Sequence, residues 1–270
     1  FTHAPLTIEC LNAGKHVVVD KAMCLSVAEA DAMIAAARRN ERMLAVFHAR
    51  RRDGNFRAVK EIVHAGEIGQ VFHIELTAGG YARPRDWWYS RKALGGGAFY
   101  YWGPHAIDWV LDLVRSKILG VNGFYHKLVW QDVDQEDQTR AILRFENGCV
   151  ADITWSHIAA VGKPLWRILG TQGGIIDTGA GGNKGYQNEI EGPAGGTFQV
   201  VTVRDGKREE RQVPYKESDW LTYYLQVSEH LLAGGPVPVT GEDGRRTIAV
   251  FEAAERSSKS GQTETVAYEA

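Results

Sequence analysis

The 270 residues are 44% hydrophobic and 24% charged, with a formal net charge of −2, which is the balance of a globular chain with a core of its own. That charge removes the electrostatic case for nucleic acid or an anionic membrane as partner, no apolar run is long enough to span a bilayer, and no signal peptide is expected. Cys10, Cys24 and Cys149 are widely spaced and show no metal-ligand pattern, so free thiols in a reducing cytoplasm are expected.

Residues 4–12 are predicted to form a helix that Thr2 can cap and Gly14 can end. Val17-Val18-Val19 is an unbroken β-branched run, of the kind buried on both faces of a parallel sheet. Ser26 and Glu29 stand at capping-box spacing and open a helix reaching about Arg39. The run MLAVFHA, residues 43–49, reads as the next buried strand. Residues 2–49 therefore alternate α-β-α-β, the pattern of an α/β unit with parallel connections. No G-x-G-x-x-G turn precedes it, and an independent doubly wound domain needs more strands than these two.

After a helix over residues 56–65, ended by Gly66, the pattern changes. Strands are predicted over residues 71–78, 118–130, 139–145, 150–157, 167–170, 198–203 and 209–213. Asn147-Gly148 and Asp205-Gly206 carry the signals of tight turns. Helices are predicted over residues 104–114, 220–232 and 245–258, and the glycine-rich segment 179–196 reads as a flexible connection. The expected fold is α/β plus α+β: a partial Rossmann unit over residues 1–50, then a mainly antiparallel open sheet over residues 51–270.

Lys21 follows the valine strand, and ligands of open α/β sheets bind outside the carboxyl ends of strands. Position alone leaves two readings, a fixed cation at a ligand crevice or a surface lysine. Pro104 suits the first position of a helix, which would put His105 in the first turn, where the positive helix end favours neutral imidazole. Asp108, at i+3, could orient that ring, or both residues could simply cap and pack the helix. Residues 82–102 combine Arg83, Arg85, Arg91 and Lys92 with Trp87, Trp88, Tyr89, Tyr100 and Trp102. Aromatic faces with cationic donors suit a sugar or sugar acid, although tryptophans also pack sheet to helix. Gly95-Gly96-Gly97 permits close approach of a ligand or an unusual turn. The remaining histidines share no ligand spacing, so no metal site is expected.

The segments GKHVVVDKA (residues 14–22), GEIGQV (66–71), GGGAFYYWGPHAIDWVLDL (95–113) and GEDGRRTIAVFEAAERSSKSGQ (241–262) together resemble the Gfo/Idh/MocA oxidoreductases, in that family's order. The resemblance spans essentially the whole chain. It implies an enzyme that uses NAD or NADP to oxidise or reduce a hydroxyl or carbonyl of a sugar, sugar derivative or cyclitol. Lys21 and His105 would be catalytic, Asp20 and Lys21 would meet the cofactor, and Arg91, Trp88, Tyr100, Trp102 and Asp108 would meet the substrate. A homo-oligomer in the cytoplasm is expected, with the open sheet face covered. The family's first Rossmann strands and glycine turn have no counterpart in this sequence, so it is read as N-terminally truncated and expected to bind NAD(P) weakly by itself. The family's E-K-P proline is Ala22, and the acidic residue of its D-x-G-x-H is Tyr101. A phenol donates a hydrogen bond and is a poor base at neutral pH, so Tyr101 is either a catalytic substitute or packing. A lyase or glycosidase that oxidises its sugar transiently, or an inactive chain that serves assembly, are the alternatives.

Overall fold

The computed structural model describes residues 1–179 and 195–266. Helix α1 (His3–Asn12) leads into strand β1 (Val17–Val19), helix α2 (Val27–Arg39) and strand β2 (Leu44–Val46). β1 and β2 pair in parallel, with Val17 opposite Leu44 and Val19 opposite Val46. Ser26 caps α2 by accepting from the Glu29 amide at 3.1 Å. The other half of the expected capping box is displaced, because the Glu29 carboxylate takes the amide of Leu25 at 2.8 Å. Thr2 occupies the N-cap position of α1 without a side-chain hydrogen bond. β2 is shorter than the apolar run suggested. The Phe47 amide still reaches the Val19 carbonyl at 2.8 Å, but β1 ends there and the chain coils into a 3₁₀ turn at Ala49–Arg52.

Helix α3 (Gly54–His64) leads to strand β3 (Val71–Gly79), followed by the short α4 (Lys92–Gly95) and the long α5 (Ala98–Val114). Strands β4 (Ile118–His126), β5 (Gln138–Phe145), β6 (Val150–Ser156), β7 (Trp166–Gly170), β8 (Gly173–Asp177), β9 (Thr197–Arg204) and β10 (Lys207–Pro214) follow, then helices α6 (Leu221–Ala233) and α7 (Gly241–Ser260). The large sheet runs β10-β9-β8-β7-β3-β6-β5-β4. All its pairs are antiparallel except β3 with β6. β8, which begins with Gly173-Gly174, is not among the predicted strands. Of the glycine-rich segment 179–196, residues 180–194 lie outside the described residues.

The sheet obeys the period-two rule of a half-covered surface. Ala141, Leu143, Ala151, Ile153, Trp155 and Ile168 are buried, while Arg140, Asp152, Glu75 and Arg167 stand between them on the opposite face. The buried face meets α5 through aromatic stacking. Trp109 stacks on Phe56 of α3 at 5.6 Å and meets Trp166 of β7 at 5.6 Å. Trp102 lies parallel to Trp155 of β6, 5.6 Å away. α7 closes the same layer against β4. At Gly123 a Cβ would come within 1.8 Å of the Ala254 carbonyl oxygen, so only glycine permits that approach. The same helix binds the N-terminal unit, since Glu252 accepts from the Val27 amide at 2.8 Å and Arg245 pairs with Asp31.

Two predicted elements differ for identifiable reasons. α5 begins at Ala98 rather than at Pro104, which is interior to the helix. Gly96 and Gly97 turn the chain at φ +86° and +108°, and the Glu136 carboxylate, which also pairs with Lys92, caps the Ala98 amide at 3.1 Å. The triple glycine thus serves a turn. A proline inside a helix costs about 3 kcal/mol, and burial of Phe99, Trp102 and Trp109 on the same helix outweighs it. β4 ends at His126 rather than running to Trp130. The buried Asp137 carboxylate accepts from the amides of Leu128 and Val129, both at 2.6 Å, and pulls that stretch out of the strand.

Candidate functional site

The carboxyl ends of β1 and β2 lie side by side because the strands are parallel and in register. β1 delivers Asp20 and Lys21 there, and β2 delivers Phe47 and His48. The N-terminal half of α5 brings Tyr101, Trp102 and His105 to the same place. The Lys21 Nζ donates to the Tyr101 carbonyl at 2.8 Å and lies 5.0 Å from the centre of the Tyr101 ring. The Lys21–Ala22 peptide is cis. Asp20 accepts from the Lys21 amide at 2.7 Å.

His105 is 7% exposed and His48 is 2% exposed. Their rings meet edge to face with centroids 6.3 Å apart, and the Nδ1 of each is enclosed without a hydrogen-bond partner. Burial holds His105 well below the usual imidazole range, and the positive groups Lys21 and Arg50 push the same way. Burial also lowers His48, against the pull of the Asp108 carboxylate. Burial lowers the Lys21 amine, with Asp20 opposing and Arg50 assisting. His105 is therefore neutral, but not for the expected reason. It sits in the second turn of α5, beyond the reach of the helix end, and desolvation with neighbouring cations keeps the proton off.

Asp108 does not orient His105. Its two carboxylate oxygens accept from Nε and Nη2 of Arg51, both at 2.7 Å. Tyr100 is not at a ligand surface either. Its hydroxyl donates to the Leu25 carbonyl at 3.0 Å and its ring packs on Phe251 at 4.6 Å, which ties α5 to the segment before α2. Trp102 is buried against Trp155 and lies 5.8 Å from His105, so it forms a wall beside the imidazole. Trp88 is 52% exposed. It reaches the site only through a chain of rings: Trp88 to Tyr89 at 5.9 Å, Tyr89 stacked on Tyr101 at 4.6 Å, then Lys21. Arg91 projects outward with Asp86 as an ion-pair partner at 3.9 Å.

His48 and Arg50 were not singled out from the sequence. The Arg50 guanidinium spans Trp102 and Trp220 at 6.0 and 5.2 Å, and it pairs with the buried Asp53 at 2.9 Å. The signal for His48 was present, because it follows β2 as Lys21 follows β1, and the carboxyl-end rule covers both strands. Among the described residues no group of three His, Cys, Asp or Glu could hold a metal ion, and no helix is long and apolar enough to cross a membrane. A low-lying amine, a neutral imidazole and an aromatic wall can hold a polar ring compound and exchange a proton with its hydroxyl or carbonyl oxygen.

Residues 1–48 match the model of an oxidoreductase family with an NAD-binding Rossmann fold, and residues 56–176 match the GFO/IDH/MocA C-terminal domain. The chain is 26% identical to scyllo-inositol 2-dehydrogenase (NADP(+)) IolW of Bacillus subtilis, over 97% of this chain and 75% of the relative. It is 26% identical to myo-inositol 2-dehydrogenase of Thermotoga maritima, over 95% of this chain and 74% of the relative. The structure of aldose-aldose oxidoreductase from Caulobacter crescentus superimposes with a TM-score of 0.81 at 23% identity, over 98% of this chain and 76% of that one. That likeness bears on the fold.

Two outcomes follow from the geometry. Asp108→Asn leaves the Arg51 guanidinium buried beside a neutral amide, and urea denaturation should show a loss of about 3 kcal/mol; a loss under 1 kcal/mol would remove the pair from its structural role. Stability should also depend on pH through the buried imidazoles. His157, lowered by burial to about 4, titrates near 6.5 in the unfolded chain. Below 6.5 the unfolded chain binds protons that the folded chain refuses, so stability falls as pH drops from 6.5 to 4. That window is worth about 3 kcal/mol for His157, and His48 and His105 act in the same direction. Denaturation midpoints that stay constant from pH 7.5 to 4.5 would contradict it.

Proposed function

The chain belongs to the Gfo/Idh/MocA family of oxidoreductases, and we propose that Lys21 and His105 handle the proton of the hydroxyl or carbonyl on which it acts. The protein is an NAD(P)-dependent oxidoreductase of a sugar, sugar derivative or cyclitol. The observation that carries the residue assignment is the convergence of a half-buried amine and an unpartnered buried imidazole beside the carboxyl ends of two parallel strands. Those residues fit the nicotinamide end of the cofactor. Asp20 and Lys21 would hold its ribose, and the enclosed Nδ1 of His105 is a polar atom that protein contacts leave unused. When bound, NAD(P) accepts the hydride from the carbon that bears the reacting hydroxyl.

The chain's own residues do the rest. Lys21 donates a hydrogen bond to the substrate oxygen, and burial lowers its amine from the ordinary lysine value. Neutral His105 accepts the hydroxyl proton in oxidation and returns it in reduction. Tyr101 steadies Lys21 through its ring and carbonyl, a packing role that leaves proton transfer to the other two. Trp102 supplies an apolar wall for a ring carbon face, and Trp88 with Arg91 lines the approach. Residues 1–50 and 51–270 are then the cofactor-side and substrate-side units, with the cleft between them.

The uncovered sheet face supports a homo-oligomer. Phe124 lies there under Arg140 at 5.9 Å, and the pairs Arg140–Asp152 and Arg167–Glu75 hold charge in fixed places suited to a self-complementary contact.

Activity should be assayed with myo-inositol and scyllo-inositol and both oxidised cofactors, by the absorbance of reduced nicotinamide. Lys21→Met and His105→Asn should each lower kcat/KM about 10²–10⁴-fold; wild-type rates in both variants would end the assignment. Light scattering at micromolar concentration should report an oligomer, which Phe124→Glu dissociates. A wild-type monomer would reject this use of the sheet face.

A further inference from the structure

We propose that His48 is the second proton-holding group of this site, so that a proton leaving the substrate hydroxyl passes by way of His105 to His48. The proposal rests on the reading of Lys21 and His105 given above. It is carried by the two imidazoles themselves. Both are buried, they meet edge to face at 6.3 Å, and each encloses an Nδ1 that no protein group satisfies. Buried polar atoms without partners are rare, because each forfeits a hydrogen bond it would make in water. Two of them side by side point to groups whose partner is transient.

The surrounding charges give the transfer a direction. The charged and titratable groups acting on His105 are Lys21, Arg50 and His48, and all oppose a proton there. Position 101, one turn earlier on α5, carries a tyrosine whose ring is stacked on Tyr89. His48 also feels Lys21 and Arg51, but it faces two carboxylates, Asp108 from α5 and Asp243 from α7. Both are fixed in place. Asp108 is held by Arg51 at two points, and Asp243 lies 3.7 Å from Arg51 and belongs to the capping box of α7. From α6 the phenols Tyr223 and Tyr224 pack their rings against Phe47. A proton is therefore better held on His48 than on His105, and the path leads away from Lys21.

The balance is simple. The substrate C–H bond breaks and its electron pair leaves as hydride to oxidised NAD(P). The O–H bond breaks, and its electron pair becomes the second bond of the carbonyl. The proton enters one ring nitrogen of His105, the proton on the other nitrogen leaves for His48, and His105 remains neutral. In reduction the sequence runs backwards. His48 does not touch the reacting atoms, so its role is that of a positioning and proton-storing residue behind His105.

The test is a titration of the protein labelled with ¹⁵N-imidazole histidine, followed by NMR from pH 8 to 4 and assigned with His48→Gln and His105→Gln. In the wild type His48 should take up its proton at higher pH than His105. His48→Gln should lower kcat about 10–100-fold with KM unchanged, and should move the acid limb of the kcat profile. Protonation of His105 ahead of His48, or a wild-type kcat profile in His48→Gln, would overturn the proposal. If His48→Gln does not fold, the order of protonation in the wild type decides by itself. Full activity in Lys21→Met and His105→Gln would instead mark failure of the underlying site assignment, and it leaves the order of titration readable.

Discussion

The two-point bond from Arg51 to Asp108 is the constraint on which the site depends. Arg51 belongs to the turn that follows β2, and Asp108 lies in the middle of α5. Both oxygens of a nearly enclosed carboxylate are used, at 2.7 Å each. A planar fork against a carboxylate fixes orientation as well as distance. The two strand ends bearing Lys21 and His48 are thereby held at one angle to the helix face bearing Tyr101 and His105. Neither unit could shift along the other without exposing a buried charge to an apolar neighbour.

The aromatic layer beneath does a different job. Phe56, Trp109, Trp166, Trp102 and Trp155 make a continuous chain of ring contacts, stacked, tilted and edge to face, from α3 across α5 to the sheet. Its rings fix the height of α5 above the strands, and Trp102 also lies beside His105, 5.8 Å away. Trp155 also donates to His157 at 3.3 Å. Core packing and site construction thus share residues, and the segment with the most aromatic side chains is neither wholly core nor wholly ligand surface.

The charges around His105 oppose a proton on it. Lys21 and Arg50 repel a proton from His105, while the carboxylates Asp53 and Asp108 are engaged by Arg50 and Arg51. At His48 the carboxylates Asp108 and Asp243 oppose the lowering by burial, while Arg51 and Lys21 assist it. This differs from a site in which a carboxylate at position 101 would sit beside the lysine.

What the sequence determined by itself was governed by neighbours in the chain. The valine run forms β1, Ser26 caps α2, and Asp205-Gly206 makes its turn with φ of +50° and +73°, because these depend on side chains within a few residues. The strand before Lys21 placed it at a strand end but left its role open, and the roles expected of Lys21 and His105 came from the family resemblance. The tertiary structure alone decided the rest. Where α5 starts depends on Glu136, and what Asp108 does depends on Arg51. Tyr100 reads as a surface aromatic until Leu25 and Phe251 are placed around it. His48 looked like one histidine among nine until folding set it edge-on to His105. In each case the deciding partner lies far along the chain, and local spacing carries no information about which buried charge or ring will be brought against it.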